Sequence, residues 1–294
     1  MAPHRLIFLC AAALCASTPA LAAPDWSKVD AALGRSGTVQ PDAVHRYSFP
    51  RSDLKVTLDG VVLKPALALG SWIAFEPMGD EAVMMGDLVL QQDEVSGVMS
   101  KLLGAGVTVT ALHNHLLRSS PGTMYMHVHG SGDAVRLAVA VRSALALTAT
   151  PLGPPKPPGP PQPLALDTAG LDRILGASGK ASGGVYQFSI PRPERITDAG
   201  MPMPPSMGLA IAINFQPTTT GRVVATGDFV LLASEVDPVM RALRSSEIEV
   251  TALHNHLGQE EPRLFFMHFW GNGPALTVAH GLRKGLDATS VKLR

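Results

Sequence analysis

The chain has 294 residues with 24 basic and 24 acidic side chains, so its formal net charge is zero. A neutral chain lacks the basic excess that nucleic-acid binders gather on one face, and an apolar fraction of 46% argues against wholesale disorder. The length allows two domains or one large domain.

The first 22 residues have the pattern of an export signal. One basic residue and a short apolar run precede Pro19-Ala20-Leu21-Ala22, which ends in an A-x-A cleavage motif. We therefore expect a signal peptide at 1–22, cleavage near Ala22, and a periplasmic or secreted product. The apolar run is shorter than the roughly 20 residues of a membrane span. Leucine precedes both Cys10 and Cys15, so neither fits a lipid-anchor motif, and the mature chain would contain no thiolate ligand.

The remainder of the chain consists of two copies of one sequence unit. The sequence VTALHNHL at 109–116 recurs unchanged at 250–257, an offset of 141 residues. We place repeat 1 at 25–147, a proline-rich linker at 148–165 and repeat 2 at 166–287. The linker prolines favour an extended, semi-rigid spacer. The linker can hold the two repeats apart as separate domains, or it can let them fold back around a pseudo-twofold axis. We favour the second arrangement.

The same order of elements is predicted in both repeats. For repeat 1 these are helix 26–33, strands 44–49, 72–76 and 82–90, helix 94–103, strands 107–115 and 125–129, and helix 134–146. For repeat 2 they are helix 168–175, strands 185–190, 209–215 and 223–232, helix 235–243, strands 248–256 and 265–269, and helix 275–286. Gly34 and Gly176 follow the first helix of each repeat and suit a C-cap. The order implies an α+β fold, with helices on one face of a mixed or antiparallel sheet in each repeat.

Seven of the ten histidines lie in two short windows. They are His113, His115, His127 and His129 in repeat 1, and His254, His256 and His268 in repeat 2. Residues i and i+2 of a strand point to one face. A symmetric hairpin centred on Pro121 would therefore place His115 opposite His127 and His113 opposite His129. Four gathered imidazoles suit a divalent metal, so we predict a metal site with zinc as the favoured ion and copper or iron as alternatives.

Repeat 2 has Trp270 at the position of His129. Three histidines with an open coordination position are the usual form of a catalytic zinc site. Alternatively, Trp270 indicates that this copy has lost its metal, and the indole is structural or stacks on a bound ligand. A single site shared by both repeats is a third alternative.

Four carboxylates are candidates for the catalytic base. Asp87 and Asp228 follow a glycine at corresponding positions of the two repeats, and Glu94 and Glu235 open a helix in each. For the glutamates a structural alternative is strong, because a carboxylate in the first helical turn complements the helix dipole.

The motifs together resemble the LppY/LpqO family of bacterial exported proteins. The resemblance rests on the repeated TALHNHL, the preceding GDLVL or GDFVL, the EV-x-x-VM helix start and the later MHVHG or MHFWG. It covers nearly the whole mature chain and implies no established activity.

Three functions follow from these observations as hypotheses. The first is an exported metalloenzyme, with hydrolysis as the favoured chemistry on an unidentified substrate. The second is a non-catalytic protein that binds or buffers metal. The third is a module in which the histidines bind a small ligand and Trp270 stacks on it.

Overall fold

The computed structural model describes residues 23–154, 163–219 and 221–293. The predicted signal peptide at 1–22 and the centre of the proline-rich linker lie outside the described residues. Within those described ranges, no helix combines the length and the apolar character that a membrane crossing requires.

Repeat 1 contains four helices and eight strands among its described residues. They are α1 (Trp26–Leu33), β1 (Thr38–Val39), β2 (His45–Pro50), β3 (Thr57–Leu58), β4 (Val61–Val62), α2 (Pro65–Ala68), β5 (Gly70–Met78), β6 (Glu81–Gln91), α3 (Val95–Gly104), β7 (Thr108–His113), β8 (Thr123–Gly132) and α4 (Ala134–Leu145).

Repeat 2 follows the same plan, with a 3-10 turn (Pro205–Met207) in place of α2 and one additional two-residue strand, β16. Its other elements are α5 (Thr168–Leu175), β9 (Lys180–Ser182), β10 (Val185–Pro191), β11 (Thr197–Asp198), β12 (Met201–Pro202), β13 (Ala210–Pro217), β14 (Arg222–Leu232), α6 (Ala233–Arg244), β15 (Glu249–His254), β16 (Glu260–Glu261), β17 (Leu264–Pro274) and α7 (Ala275–Asp287).

Each repeat forms one six-stranded sheet, in the order β1-β2-β5-β6-β8-β7 in repeat 1 and β15-β17-β14-β13-β10-β9 in repeat 2. Every strand pair found in these sheets is antiparallel. The α+β prediction of two repeats is therefore confirmed, and of the two sheet types it allowed, the structure selects the antiparallel one. The predicted C-caps are also confirmed, since Gly34 and Gly176 both adopt the left-handed conformation with φ near +70°.

Helices cover one face of each sheet. In repeat 1, Val29 and Leu33 of α1, Leu102 of α3 and Val141 of α4 are fully buried in one apolar cluster with residues of β5 and β6. Asp133 caps α4 by accepting a hydrogen bond from the backbone N–H of Arg136. Because the helices occupy the outer face, the opposite face of each sheet is available to the other repeat.

The two repeats exchange the segments that lie between β2 and β5 in repeat 1 and between β10 and β13 in repeat 2. The segment of repeat 1 docks on repeat 2, where the amide of Gln216 accepts from Lys64 N–H and donates to the Val62 carbonyl. Reciprocally, Ser206 of repeat 2 receives a hydrogen bond from Arg46 on its carbonyl and donates its N–H to Asp42. This reciprocity agrees with the folded-back, pseudo-twofold arrangement and brings the two inner sheet faces together.

Candidate metal centre

Six of the seven clustered histidines meet between the two sheets, three from each repeat. Their rings pair across the repeats, with centroids 3.6 Å apart for His113 and His254, 3.7 Å for His115 and His268, and 4.0 Å for His127 and His256. The offset of 141 residues exchanges the second and third of these pairs and maps the first onto itself. A pseudo-twofold axis therefore passes through the cluster, and both repeats contribute equally to it.

The predicted register of the first histidine hairpin is wrong. His113 lies opposite Tyr125, and Ala111 rather than His115 lies opposite His127. The hairpin is shifted because its connecting loop is held from outside: Thr57 of β3 and Ser120 exchange backbone hydrogen bonds. His115 follows the end of β7, and its position is set instead by repeat 2, since its carbonyl accepts from the Thr251 hydroxyl at 2.7 Å.

The hydrogen bonds of His254 and His268 fix which ring nitrogens carry a hydrogen. Nδ1 of His254 lies 2.9 Å from the Asn255 carbonyl and Nδ1 of His268 lies 3.2 Å from the Gly227 carbonyl. A carbonyl oxygen only accepts, so both Nδ1 atoms must be the donors, and each neutral ring has a lone pair on Nε2. Those two Nε2 atoms are 2.9 Å apart. Two lone pairs at that separation repel unless a proton or a metal ion lies between them, and the lowered pKa values of both rings disfavour the proton.

His113 adds a third lone pair to the same place. Its Nδ1 lies 3.2 Å from the Asn114 carbonyl, which leaves Nε2 as an acceptor, and in this structure Nε2 of His127 donates to it at 2.7 Å. His113, His254 and His268 each present a ligand atom within 4.8 Å of the other two, and His113, His115 and His127 form a second such group. The first group draws on both repeats, and the carbonyl bonds at its Nδ1 atoms are the outer contacts that orient metal-binding histidines.

Several buried ring nitrogens of the cluster have no hydrogen-bond partner among the described residues. They are Nε2 of His115, Nδ1 of His127, and both nitrogens of His256. Burial lowers the pKa of all six histidines, to about 3 for His113 and His256. Neutral imidazoles with unused lone pairs are the form that binds a metal ion.

The separations between nitrogens test whether zinc fits. Tetrahedral zinc with Zn–N bonds of about 2.0–2.1 Å places its nitrogen ligands about 3.3–3.4 Å apart. The Nε2 atoms of His254 and His268 are 2.9 Å apart, and those of His113 and His127 are 2.7 Å apart. Movements of about half an ångström would admit the ion, which small rotations of the rings supply, so the residues fit an imidazole-bound metal.

A cavity of about 1080 Å³ adjoins the histidines and is lined by both repeats. Asp87 and Asp228 both face it. Burial raises the pKa of Asp87 well above its ordinary value, with the nearby Asp228 as a further cause, and burial raises the pKa of Asp228 to about 7. Asp87 Oδ2 lies 3.7 Å from His115 Nε2. A carboxyl group whose pKa lies near neutral pH can accept or donate a proton beside a metal centre.

The structure places His129 and Trp270 apart from the six-histidine cluster. His129 Nε2 lies 3.4 Å from a carboxylate oxygen of Asp198 in repeat 2, so the predicted four-histidine site within repeat 1 does not form. Trp270 is 3% exposed, donates its indole N–H to Asp59, and belongs to an apolar cluster between the repeats. The structural alternative for Trp270 agrees with this position, because no ring face is free for a ligand.

The structure assigns Glu94 and Glu235 to buried ion pairs. Arg51 binds Glu94 at 2.7 Å, and Arg192 binds Glu235 at the same distance. Each glutamate also accepts a backbone N–H at the start of its helix. Neither glutamate lines the cavity, so their position matches the structural alternative rather than that of a catalytic base.

Sequence analysis missed Arg46 and Trp72, which also line the cavity. The guanidinium of Arg46 lies 3.9 Å above the Trp72 ring. At the positions related by the repeat, 187 and 212, stand glutamine and alanine, so the repeat pattern gives no signal for either residue.

The family described as Domain of Unknown Function (DUF1259) matches residues 27–147 and, a second time, residues 169–288. The chain belongs to this family. No curated protein matches the chain.

Two solved structures show a distant likeness. One is a trimeric bacterial microcompartment shell protein, PduB, 12% identical, covering 87% of this chain and 91% of that one with a TM-score of 0.23. The other is EtuB from Clostridium kluyveri, also 12% identical, covering 85% and 88% with a TM-score of 0.20. Scores this low do not establish a shared fold.

Proposed function

We propose that this chain binds a divalent transition metal between its two repeats, and that His113, His254 and His268 hold the ion. The supporting observation is the pair of Nε2 lone pairs on His254 and His268, 2.9 Å apart, with both Nδ1 atoms facing carbonyls. Imidazole donors suit zinc first, with copper and iron as alternatives. This places the site across the repeats, as in the shared-site alternative.

We further propose that the centre is hydrolytic and acts in an exported protein of the LppY/LpqO type. A bound zinc ion supplies an activated water at neutral pH. Asp87 and Asp228 would hold or move protons beside it, because their pKa values are raised toward or beyond neutrality. The adjoining cavity of about 1080 Å³ favours an enzyme over a metal buffer, which needs no substrate space.

Metal analysis of untagged protein tests the binding proposal. We expect one metal ion per chain at the triad in the wild type, and at least a tenfold weaker affinity in His254→Ala and His268→Ala, since each removes a ligand (an order-of-magnitude estimate). His280→Ala is the matched control, because His280 is exposed on α7. A metal-free wild type, or ligand variants that bind like the control, would overturn the proposal.

The hydrolytic proposal has its own measurement. Zinc-loaded protein should cleave chromogenic carboxylate or phosphate esters, and Asp87→Asn with Asp228→Asn should reduce the rate by about a hundredfold while metal content is retained. Full metal content with no cleavage of any ester would favour the buffering function.

A further inference from the structure

The cavity beside the histidines contains a cation that the metal centre does not use. Arg46 of β2 extends into the cavity and lies over the ring of Trp72 from β5. Among the described residues, the one hydrogen bond from its guanidinium goes to the Ser206 carbonyl at 3.0 Å. Its other nitrogens are not among the buried polar atoms without partners, so they remain accessible to a ligand.

Two carboxyl groups share this cavity with Arg46 but do not bind it directly. Asp87 and Asp228 both stabilise its charge, yet neither lies within 4.0 Å of the guanidinium in the described part of the chain. Burial lowers the pKa of Arg46 to about 10, so it stays protonated at neutral pH. The planar fork of N–H donors therefore remains available to another partner.

The charge of the cavity depends on the metal. Without an ion, the cavity is lined by two cations, Arg46 and the exposed Lys180, and by the carboxyl groups of Asp87 and Asp228. A divalent ion raises the positive charge from two to four, against two negative charges when both carboxyls ionise. The cavity then has a net positive charge, which favours an anion.

We propose that Arg46 is a substrate-binding residue and that the substrate is a small molecule bearing an oxyanion, a carboxylate or a phosphate. The Arg46 fork would bind this group in the cavity beside the metal, with Trp72 holding the guanidinium plane. Guanidinium binds carboxylate and phosphate oxygens through two parallel N–H bonds. This inference rests on the proposed function and adds the substrate class to it.

The test measures oxyanion binding by calorimetry in zinc-loaded and metal-free protein. The probes are inorganic phosphate and acetate, with acetamide as the neutral counterpart of acetate. We expect one oxyanion to bind zinc-loaded protein, phosphate more tightly if the natural group is a phosphate and acetate if it is a carboxylate. We expect at least about tenfold weaker binding without metal, and no binding of acetamide.

Arg46→Gln should weaken oxyanion binding at least about tenfold while metal content is unchanged. Arg136→Gln, at an exposed position of α4, is the matched control and should bind as the wild type does. Arg46→Lys keeps the charge without the fork and should give intermediate affinity, so it reports on the proposal even if Arg46→Gln unfolds.

The outcomes separate the two proposals. Zinc-loaded wild type that binds neither phosphate nor acetate, or a folded Arg46→Gln that binds like wild type, overturns the oxyanion proposal alone. Equal oxyanion binding with and without zinc overturns the argument that the charge of the metal favours the oxyanion, on which the proposal stands. A wild type that holds no metal overturns the proposed function, and the oxyanion proposal fails with it.

Discussion

Asp228 shows how burial sets the chemistry of a single side chain. Asp228 lies opposite His268 of β17 and lines the cavity, and burial raises its pKa from 3.8 to about 7. Backbone hydrogen bonds from Ala212 and from its own N–H oppose that rise, as does the nearby charge of Arg46, without cancelling it. The residue is therefore protonated over much of the acidic range, which a surface aspartate is not.

Replacing Asp228 by asparagine should change the pH dependence of stability in metal-free protein. Between pH 4 and pH 7 the folded chain keeps a proton on this carboxyl that the unfolded chain has lost, so its contribution to the free energy of unfolding falls as pH rises. Asp228→Asn removes that loss. We expect the variant to gain on the order of 2–4 kcal/mol over wild type between pH 4 and pH 8.

Urea unfolding across that pH range measures the effect, and Asp237→Asn serves as the exposed control. A stability difference between Asp228→Asn and wild type that is flat with pH would contradict the raised pKa.

Residue type and spacing in the sequence predicted the histidines and the paired aspartates. Residue type and spacing did not predict which residues these side chains contact. Asp87 and Asp228 were candidates because each follows a glycine at the same repeat position, and the cavity contains both. Glu94 and Glu235 had the same kind of support, yet buried arginines bind them, because a repeated motif is equally the mark of a repeated structural ion pair.

At the scale of elements, the Gly-Asp motif explains how β13 and β14 approach closely enough to hold the site. A Cβ added at Gly227 would lie 1.9 Å from the Ala212 carbonyl oxygen. This oxygen is a backbone atom and cannot rotate away as a side chain could. The Gly227 carbonyl also accepts from Nδ1 of His268. The glycine therefore permits the strand pairing and orients a proposed ligand at once.

Gly227→Ala should weaken both the fold and the metal site. We expect a loss of about 2–4 kcal/mol in the free energy of unfolding, because the two strands must separate to admit the methyl group. We also expect weaker zinc affinity, because His268 loses its fixed orientation. Gly104→Ala is the matched control: nothing lies within 4 Å of its added Cβ at the end of α3, so stability should not fall. Wild-type values for Gly227→Ala in unfolding and zinc titration would contradict this reading.

The helices and strands predicted from the hydrophobic pattern agree closely with the observed ones, because helical and strand periodicities arise from residues that are close in the sequence. The predicted helices 26–33 and 168–175 coincide with α1 and α5. The hairpin register differs because β3 pairs with Ser120 in the first hairpin loop, and β11 pairs with β16 in the second. Partners distant in the chain set that register, and no local pattern contains them.

At the scale of the whole molecule, the site exists because two repeats share an interior. Trp270 lies in an apolar cluster with Leu58 and Val89 of repeat 1 and Val224 of repeat 2, and it donates a hydrogen bond to Asp59. The residue that breaks the histidine pattern of repeat 2 thus joins the repeats together.

Trp270→Ala should reduce stability and metal affinity together, although Trp270 is not a proposed ligand. Removing a buried indole costs about 3–5 kcal/mol, and loosening the interface separates His113 from His254 and His268. Leu147→Ala is the control, because Leu147 is 55% exposed. Urea unfolding with zinc titration measures both effects. Full zinc affinity in a destabilised Trp270→Ala would show that the site does not depend on this interface.

The sequence by itself determined the α+β class, the two-copy organisation, and the clustered histidines as candidate metal ligands. Hydrophobic periodicity, the internal repeat and the residue types are properties of the sequence itself, so they can be recognised without the tertiary structure. Only the tertiary structure decided which imidazoles meet, that both repeats supply them, that His129 and Trp270 have other partners, and that Arg46 joins the site. Those outcomes depend on the docking of two sheets and on burial, which act between residues about 140 positions apart.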